Sequence, residues 1–153
     1  MYSKEETKKL KRDFWTSFGL YMKKYNIRLG KKINWVNYNT KIKDVYFRLN
    51  VTNKKATFYI EIQHKDLDIR EIYYEQFLEL RKVLEDNFDA PLTWESLTTN
   101  DFDLIVSRIG LEKNEVNIFD KNTWKEAFTF LEKNIVAAHH FWEDFIDIFK
   151  QLE

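Results

Sequence analysis

The sequence predicts an α+β fold in which residues 1–153 form one domain, with a mainly antiparallel sheet carrying helices on its apolar face. Three observations predict it. Two adjacent segments, 44–51 and 56–63, alternate apolar and polar residues, the period of a half-buried strand. Long segments at both ends place apolar residues three and four apart, the period of an amphipathic helix. Three helix-start patterns of the capping-box type punctuate the chain at Ser3, Asp68 and Thr123. The order reads helix, three strands, helix, one or two strands, long helix.

The elements follow in turn. Ser3-Lys4-Glu5-Glu6 opens a helix from about 4 to 25, with Leu10, Phe14, Phe18 and Tyr21/Met22 on one face and Lys4, Lys8 and Arg12 on the other. Gly30 ends it. Ile33 to Tyr38 reads as a short strand, turned by Asn39 to Lys43. Val45, Phe47, Leu49 and Val51 then alternate with Asp44, Tyr46, Arg48 and Asn50. Ala56, Phe58, Ile60 and Ile62 alternate with Thr57, Tyr59, Glu61 and Gln63. A hairpin through Asn53, which tolerates positive φ, sets one register: Val51 opposite Ala56, Arg48 opposite Tyr59, Tyr46 opposite Glu61, Asp44 opposite Gln63. One hairpin face is then wholly apolar, and the other carries Asp44, Tyr46, Arg48, Tyr59, Glu61 and Gln63. His64 points with the apolar face as a boundary residue.

Asp68-Ile69-Arg70-Glu71, with Leu67 and Ile72 as a hydrophobic staple, opens a helix that runs to about residue 87. Pro91 stops it. Leu92 to Glu95 and Leu104 to Ile109 read as further strands, the second closed by Gly110. Thr123-Trp124-Lys125-Glu126 caps a helix that continues to the C-terminus through Phe128, Leu131, Ile135, Ala138, Trp142, Phe145 and Phe149.

Composition excludes several chemistries. The chain has no cysteine, so disulfides, thiol nucleophiles and cysteine-bound zinc are ruled out. Its three glycines, Gly19, Gly30 and Gly110, are too far apart for a phosphate-cradling loop. No serine sits in a nucleophile elbow. No apolar run reaches the roughly 20 residues of a membrane helix, and the first residues lack an apolar leader core, so a cytoplasmic protein without membrane contact is expected. Charge is uneven. Residues 1–55 hold fifteen Lys/Arg against four Asp/Glu, and residues 56–153 hold ten against twenty-one. Such asymmetry marks either a polyanion-binding surface or two parts that neutralise each other in the fold.

Two constellations are candidates for chemistry. His139 with Glu143 and His140 with Asp144 are i,i+4 pairs that could share a metal. The reading adopted is a solvated helix edge with no metal. Asp44 with Glu61 and Gln63 follows the Asp…Glu-x-Lys spacing by which restriction-endonuclease-like nucleases hold magnesium, and the predicted element order resembles the core of that superfamily. Gln63 stands where the lysine belongs, and Arg48 is diagonal to Glu61 and able to pair with it.

The segments FWTSFG, INWVNY, VYFR, IEIQH, YYEQF and FWEDF, in this order along the whole chain, resemble an uncharacterised bacterial domain-of-unknown-function family, met alone or C-terminal to nuclease-like domains. The resemblance implies a setting around nucleic acid or defence and carries over no catalytic motif. The expectation is a non-enzymatic binding module without a cofactor, whose partner is nucleic acid or a nucleic-acid-processing protein. Tyr46, Arg48 and Tyr59 would stack on or pair with the ligand, and Lys4, Lys8 and Arg12 would contact phosphates. The alternatives are a magnesium nuclease, active or degenerate, using Asp44, Glu61 and Gln63, and a protein–protein module that dimerises through the C-terminal helix.

Overall fold

The structure is a computed structural model and describes residues 2–153. Its elements are α1 (Lys4–Leu29), β1 (Val45–Val51), β2 (Lys55–Ile62), α2 (Leu67–Glu79), α3 (Arg81–Asp86), β3 (Thr93–Thr99), β4 (Ile105–Asn114) and α4 (Trp124–Lys150). The four strands form one antiparallel sheet in the order β1-β2-β4-β3. Helix α4 lies on the apolar face against β1 and β2. Helix α2 packs beside it on β2 and β4, and α1 packs on α4. The α+β architecture with helices gathered on one side is as expected.

The register of the β1–β2 hairpin follows from its alternation: Val45 pairs with Ile62, Arg48 with Tyr59 and Val51 with Ala56. Phe47, Phe58 and Ile60 are buried beneath the helices. A slip of one residue would turn either Phe47 or both Phe58 and Ile60 into water, and each buried side chain of this size is worth roughly 1.5–3 kcal/mol. Thr52 fixes the turn, its hydroxyl accepting from the amides of Lys54 and Lys55.

Helix α1 starts as expected, with Ser3 and Glu6 satisfying each other's amides in a capping box. It runs four residues further than the apolar spacing indicates, to Leu29. Gly30 closes it at φ 64°, the left-handed turn that glycine accepts without strain. Phe14, Phe18 and Met22 are fully buried. A polar clamp ties α1 to α4: Glu132 accepts hydrogen bonds from Tyr21 and Tyr25, and Lys24 Nζ lies 2.9 Å away. Burial pushes the Tyr25 phenol up to about 12, with the Glu132 bond adding to it. Burial alone would raise the Glu132 carboxyl too, but the bonds from Tyr21, Tyr25 and Lys24 outweigh it and hold the group below its ordinary value.

Several expectations need correction. Residues 33–38 form no strand. Asn34 and Asn39 instead accept hydrogen bonds from nearby backbone amides, and Lys41 and Asp44 take positive φ, so the segment winds rather than extends. It is anchored by side chains: Trp35 donates to Asn26 Oδ1 of α1, and Trp142 of α4 donates to the Thr40 carbonyl. The helix expected through residue 87 breaks at Leu80 into α2 and α3. Its N-cap is Asp66, which accepts from the Ile69 amide, so the register of the helix start is two residues earlier than the Asp68 pattern; Leu67 and Ile72 are exposed and form no buried staple. Thr123 does not cap α4, because its hydroxyl bonds the Asn117 and Asp120 carbonyls and tightens the preceding turn. Strand β3 extends to Thr99 with an irregularity between Glu95 and Thr98, where the Ser107 hydroxyl donates to the Ser96 carbonyl.

Strand β4 runs through Gly110 to Asn114, so this glycine does not end the strand. It sits between Tyr59 and Thr93 in the middle of the sheet. A Cβ there would lie 2.0 Å from the Phe58 carbonyl oxygen and 2.5 Å from a Tyr59 ring carbon. Because the first obstacle is backbone, the sheet would have to separate locally to admit it. Gly110→Ala is therefore expected to cost at least about 3 kcal/mol in chemical denaturation, the upper end of overpacking, whereas Gly30→Ala costs about 1–2 kcal/mol for one left-handed residue. Equal losses in the two variants would contradict this reading. Glu132, whose folded-state pKa is depressed, contributes stability that is complete above its ordinary value of 4.5 and fades as pH falls through the folded value. Glu132→Gln should flatten that acid limb of the stability profile without reversing its sign, as read by denaturation midpoints across pH.

Candidate functional site

The helices leave the second face of the sheet uncovered. Odd-numbered positions of β2 and even-numbered positions of β1 point to it, which brings Tyr46, Arg48, Tyr59, Glu61 and Gln63 onto one surface. Strand β4 adds Arg108 and Glu112 opposite Glu61 and Thr57. The turn that joins β3 to β4 rises at one side and puts Phe102, which is 83% exposed, on the rim. The result is a trough of about 460 Å³.

Tyr59 is the fixed point of this trough. Its ring lies over Gly110, the Arg108 guanidinium stacks on it at 4.1 Å, and its hydroxyl donates to Glu112 Oε2 at 2.7 Å. Burial raises the phenol well above its ordinary value, and the Glu112 bond raises it further. Lys55 Nζ and the Tyr59 hydroxyl in turn hold Glu112 below its ordinary value. A second stack forms one strand away, with the Arg48 guanidinium 4.2 Å above the Tyr46 ring. Glu61 is buried, at 6% exposure, and does not stand in the open as a surface ion pair would. The Gln63 amide donates to its Oε2 at 2.7 Å, and Arg48 Nε lies 4.0 Å from the same atom.

Asp44 is left outside this set. Its φ of 63° interrupts the alternation just before β1. Its backbone carbonyl accepts from the Gln63 amide, but its charge acts on His64 and Tyr73 at the α2 side. Among the described residues no group of three or more His, Asp or Glu side chains is placed to hold a metal ion.

The other expected residues lie elsewhere. Lys4, Lys8 and Arg12 are exposed on α1, on the helical side of the sheet, so they and the Tyr46–Tyr59 face do not share a surface. Of the fifteen Lys/Arg of residues 1–55, Lys24, Lys31, Arg48 and Lys55 pair with carboxylates of residues 56–153, and Lys9 pairs with Asp13. The remaining ten make no ion pair among the described residues. The two oppositely charged parts therefore neutralise each other only in part.

A family model described as "Domain of unknown function (DUF4268)" matches residues 10–146. The chain belongs to this family. No curated protein and no solved structure gives a match. The family assignment brings no catalytic residue with it, so the site is read from its geometry.

Sequence reasoning missed two features of the domain. Arg108 lay inside the expected strand, but the pairing of that strand with β2 was not foreseen; Glu112 escaped because Gly110 was read as the end of β4, and continuing the alternation across that glycine places it beside Arg108 on the trough. His139 was expected on a solvated edge but is buried, at 5% exposure, with Nδ1 2.7 Å from the Tyr38 hydroxyl and its ring edge-on to Trp35. The steps Ile135, Ala138, His139 and Trp142 put it inside the apolar stripe. His140 is the exposed member of the pair. His64, half-buried and stacked on Tyr73, sits at the boundary of the apolar side as expected. Among the described residues no helix is long and apolar enough to cross a membrane.

Glu61 supplies the decisive substitution. Glu61→Ala removes a buried carboxylate and unpairs Gln63 and Arg48, which should cost about 1–3 kcal/mol. Because the carboxylate already accepts from Gln63 and faces Arg48, added Mg²⁺ or Mn²⁺ is expected to leave the melting temperature of the wild type unchanged. A metal-dependent rise that disappears in Glu61→Ala would place a cation on this face.

Proposed function

We propose that this domain is a non-enzymatic binding module for nucleic acid, and that its contact surface is the basic side formed by α1 and the 30–44 segment. The observation that carries the reading is the ten cations of residues 1–55 that make no ion pair among the described residues. Lys4, Lys8 and Arg12 lie along one exposed helix, and Lys32, Lys41 and Lys43 continue the run on the segment that packs against α1 through Asn26, Ile33 and Trp35. A row of cations that neutralises phosphates displaces the counterions condensed on a nucleic acid, and release of those ions drives sequence-independent association. The resemblance to bacterial domains that accompany nuclease-like domains supports the same setting.

The nuclease alternative requires Asp44 and Glu61 on one cation and a positive group beside it. The Glu61 carboxylate engaged by Gln63 and Arg48, and the outward turn of the backbone at Asp44, weigh against it. The trough supports a different second reading, a polypeptide partner. Arg48, Lys55 and Arg108 are matched there by Glu61, Glu112 and Glu95, so the surface offers a polyanion no net attraction. Its rim exposes Phe102, with Leu97, Leu104 and Ile105 on the same hairpin, a composition suited to protein contacts.

Fluorescence anisotropy with a labelled single-stranded oligonucleotide separates the readings. Binding at low salt should weaken with added salt at a log–log slope of about −0.7 per phosphate contacted. Lys8→Glu with Arg12→Glu should lower both affinity and slope, while Arg48→Ala in the trough should leave both unchanged. Absence of binding at low salt would remove nucleic acid and bring the polypeptide reading forward.

A further inference from the structure

The 31–41 segment bridges from the end of α1 to β1 and roofs a cleft of about 480 Å³ above the C-terminal half of α4. This cleft is separate from the trough. Its wall is apolar and aromatic where Ile33, Tyr38, Trp142 and Ile146 meet, and basic at its mouth, where Lys31, Lys32, Lys41 and Lys150 converge. One carboxylate, Glu143, faces these four cations, and Lys31 Nζ pairs with it at 3.1 Å. Lys32, Lys41 and Lys150 make no ion pair among the described residues, which leaves an excess of positive charge beside a flat apolar wall.

The wall contains a polar atom that the fold does not use. Tyr38 keeps its proton because burial raises its phenol, so its hydroxyl can donate to Nδ1 of His139 at 2.7 Å, and in that tautomer the ring proton lies on Nε2. That Nε2 is buried and has no hydrogen-bond partner. Glu143 Oε1 is 3.2 Å away but outside hydrogen-bond geometry. Buried donors are almost always satisfied, so an orphan donor in the lining of a cleft marks a place where an acceptor is missing. Lys41 is held at the mouth by the backbone: its φ is 64°, its amide donates to Asn39 Oδ1, and the neighbouring Thr40 carbonyl is fixed by the Trp142 indole.

We infer that this cleft binds a phosphate monoester carried on a flat, nucleoside-sized body, with Lys32, Lys41 and Lys150 holding the phosphate, the Tyr38–Trp142–Ile146 wall receiving the body and His139 Nε2 donating to one of its acceptors. The volume lies within the range of small-molecule sites, and a few convergent polar groups in an apolar lining are their usual composition. The phosphate can come from a free nucleotide or from the end of a nucleic-acid strand. The cleft shares Lys32 and Lys41 with the basic surface proposed for nucleic acid, whereas Lys4, Lys8 and Arg12 of α1 do not line it, so the two sites are tested by different substitutions.

The test is a titration of the full chain followed by two-dimensional amide NMR, with adenosine 5′-monophosphate, adenosine, inorganic phosphate, and two matched oligonucleotides with and without a 5′-phosphate. Adenosine 5′-monophosphate is expected to shift the amides of Lys32, Lys41 and His139 and the His139 ring signals. Adenosine and phosphate alone should each bind more weakly. Lys41→Gln combined with Lys150→Gln, two exposed positions whose change should leave the melting temperature intact, is expected to weaken the nucleotide by roughly tenfold or more. Lys150→Gln alone, at a position on α4 outside the basic surface of α1 and the 30–44 segment, should weaken the nucleotide yet leave binding of the unphosphorylated oligonucleotide nearly unaltered. Preference for the 5′-phosphorylated oligonucleotide over the free nucleotide assigns the site to strand ends, and the reverse assigns it to free nucleotides. Equal responses to adenosine 5′-monophosphate and inorganic phosphate, shifts confined to lysine amides, or no response in the cleft while the oligonucleotide still binds at α1, would each overturn the assignment.

Discussion

Burial of α4 between the sheet and α1 is the constraint from which the other features follow. A helix of 27 residues that buries Leu131, Ile135, Ala138, Trp142 and Phe149 needs apolar surface on two sides. The dry face of β1–β2 supplies one side and the Phe14–Phe18–Met22 stripe of α1 the other. Once α4 is seated, Leu131, Ile135, Ala138, Trp142 and Phe149 are buried against the sheet and α1, and Val136, Phe145, Ile146 and Ile148 stay partly exposed. The same packing decides which face of the sheet stays open. It also gives the irregular 30–44 segment something to fasten to, since the Trp142 indole reaches its backbone and His139 meets Tyr38.

The legibility of the fold in the sequence tracks how local the deciding physics is. The β1–β2 register needed only a period of two and one turn, and Arg48 stands opposite Tyr59 as that pattern requires. The start of α1 needed only Ser3 and Glu6. The 33–38 segment failed because its alternation, Ile33 and Trp35 against Asn34, comes from anchoring by distant indole and amide groups rather than from a ladder. The capping pattern at Thr123 failed because a nearer backbone carbonyl claimed the hydroxyl. In each case a tertiary or competing local bond, invisible to periodicity, took the residue.

The candidate site divides in the same way. Placement of Tyr46, Arg48, Tyr59, Glu61 and Gln63 on one face followed from parity alone. That Glu61 is buried, that Asp44 turns away and that Arg108 caps Tyr59 depend on backbone φ at one residue and on a glycine three strands' width into the sheet, which parity does not encode. The charge asymmetry between the two ends of the sequence was plain, but its fate required coordinates. Four ion pairs join the basic and acidic parts, and ten cations of residues 1–55, most of them on α1 and the 30–44 segment, make none among the described residues.

The irregularity in β3 reaches beyond the site. An open antiparallel sheet presents two outer strands with unused amides and carbonyls, and these invite strands of other molecules to add on. At Ser96 and Leu97 the β3 pairing shifts register, so the outer edge no longer presents an evenly spaced row of hydrogen-bonding groups. On the opposite edge, residues 36–39 run beside Tyr46 to Leu49 of β1. Both flanks of the sheet are thereby guarded against the addition of further strands, beside a hairpin that exposes Leu97, Phe102, Leu104 and Ile105.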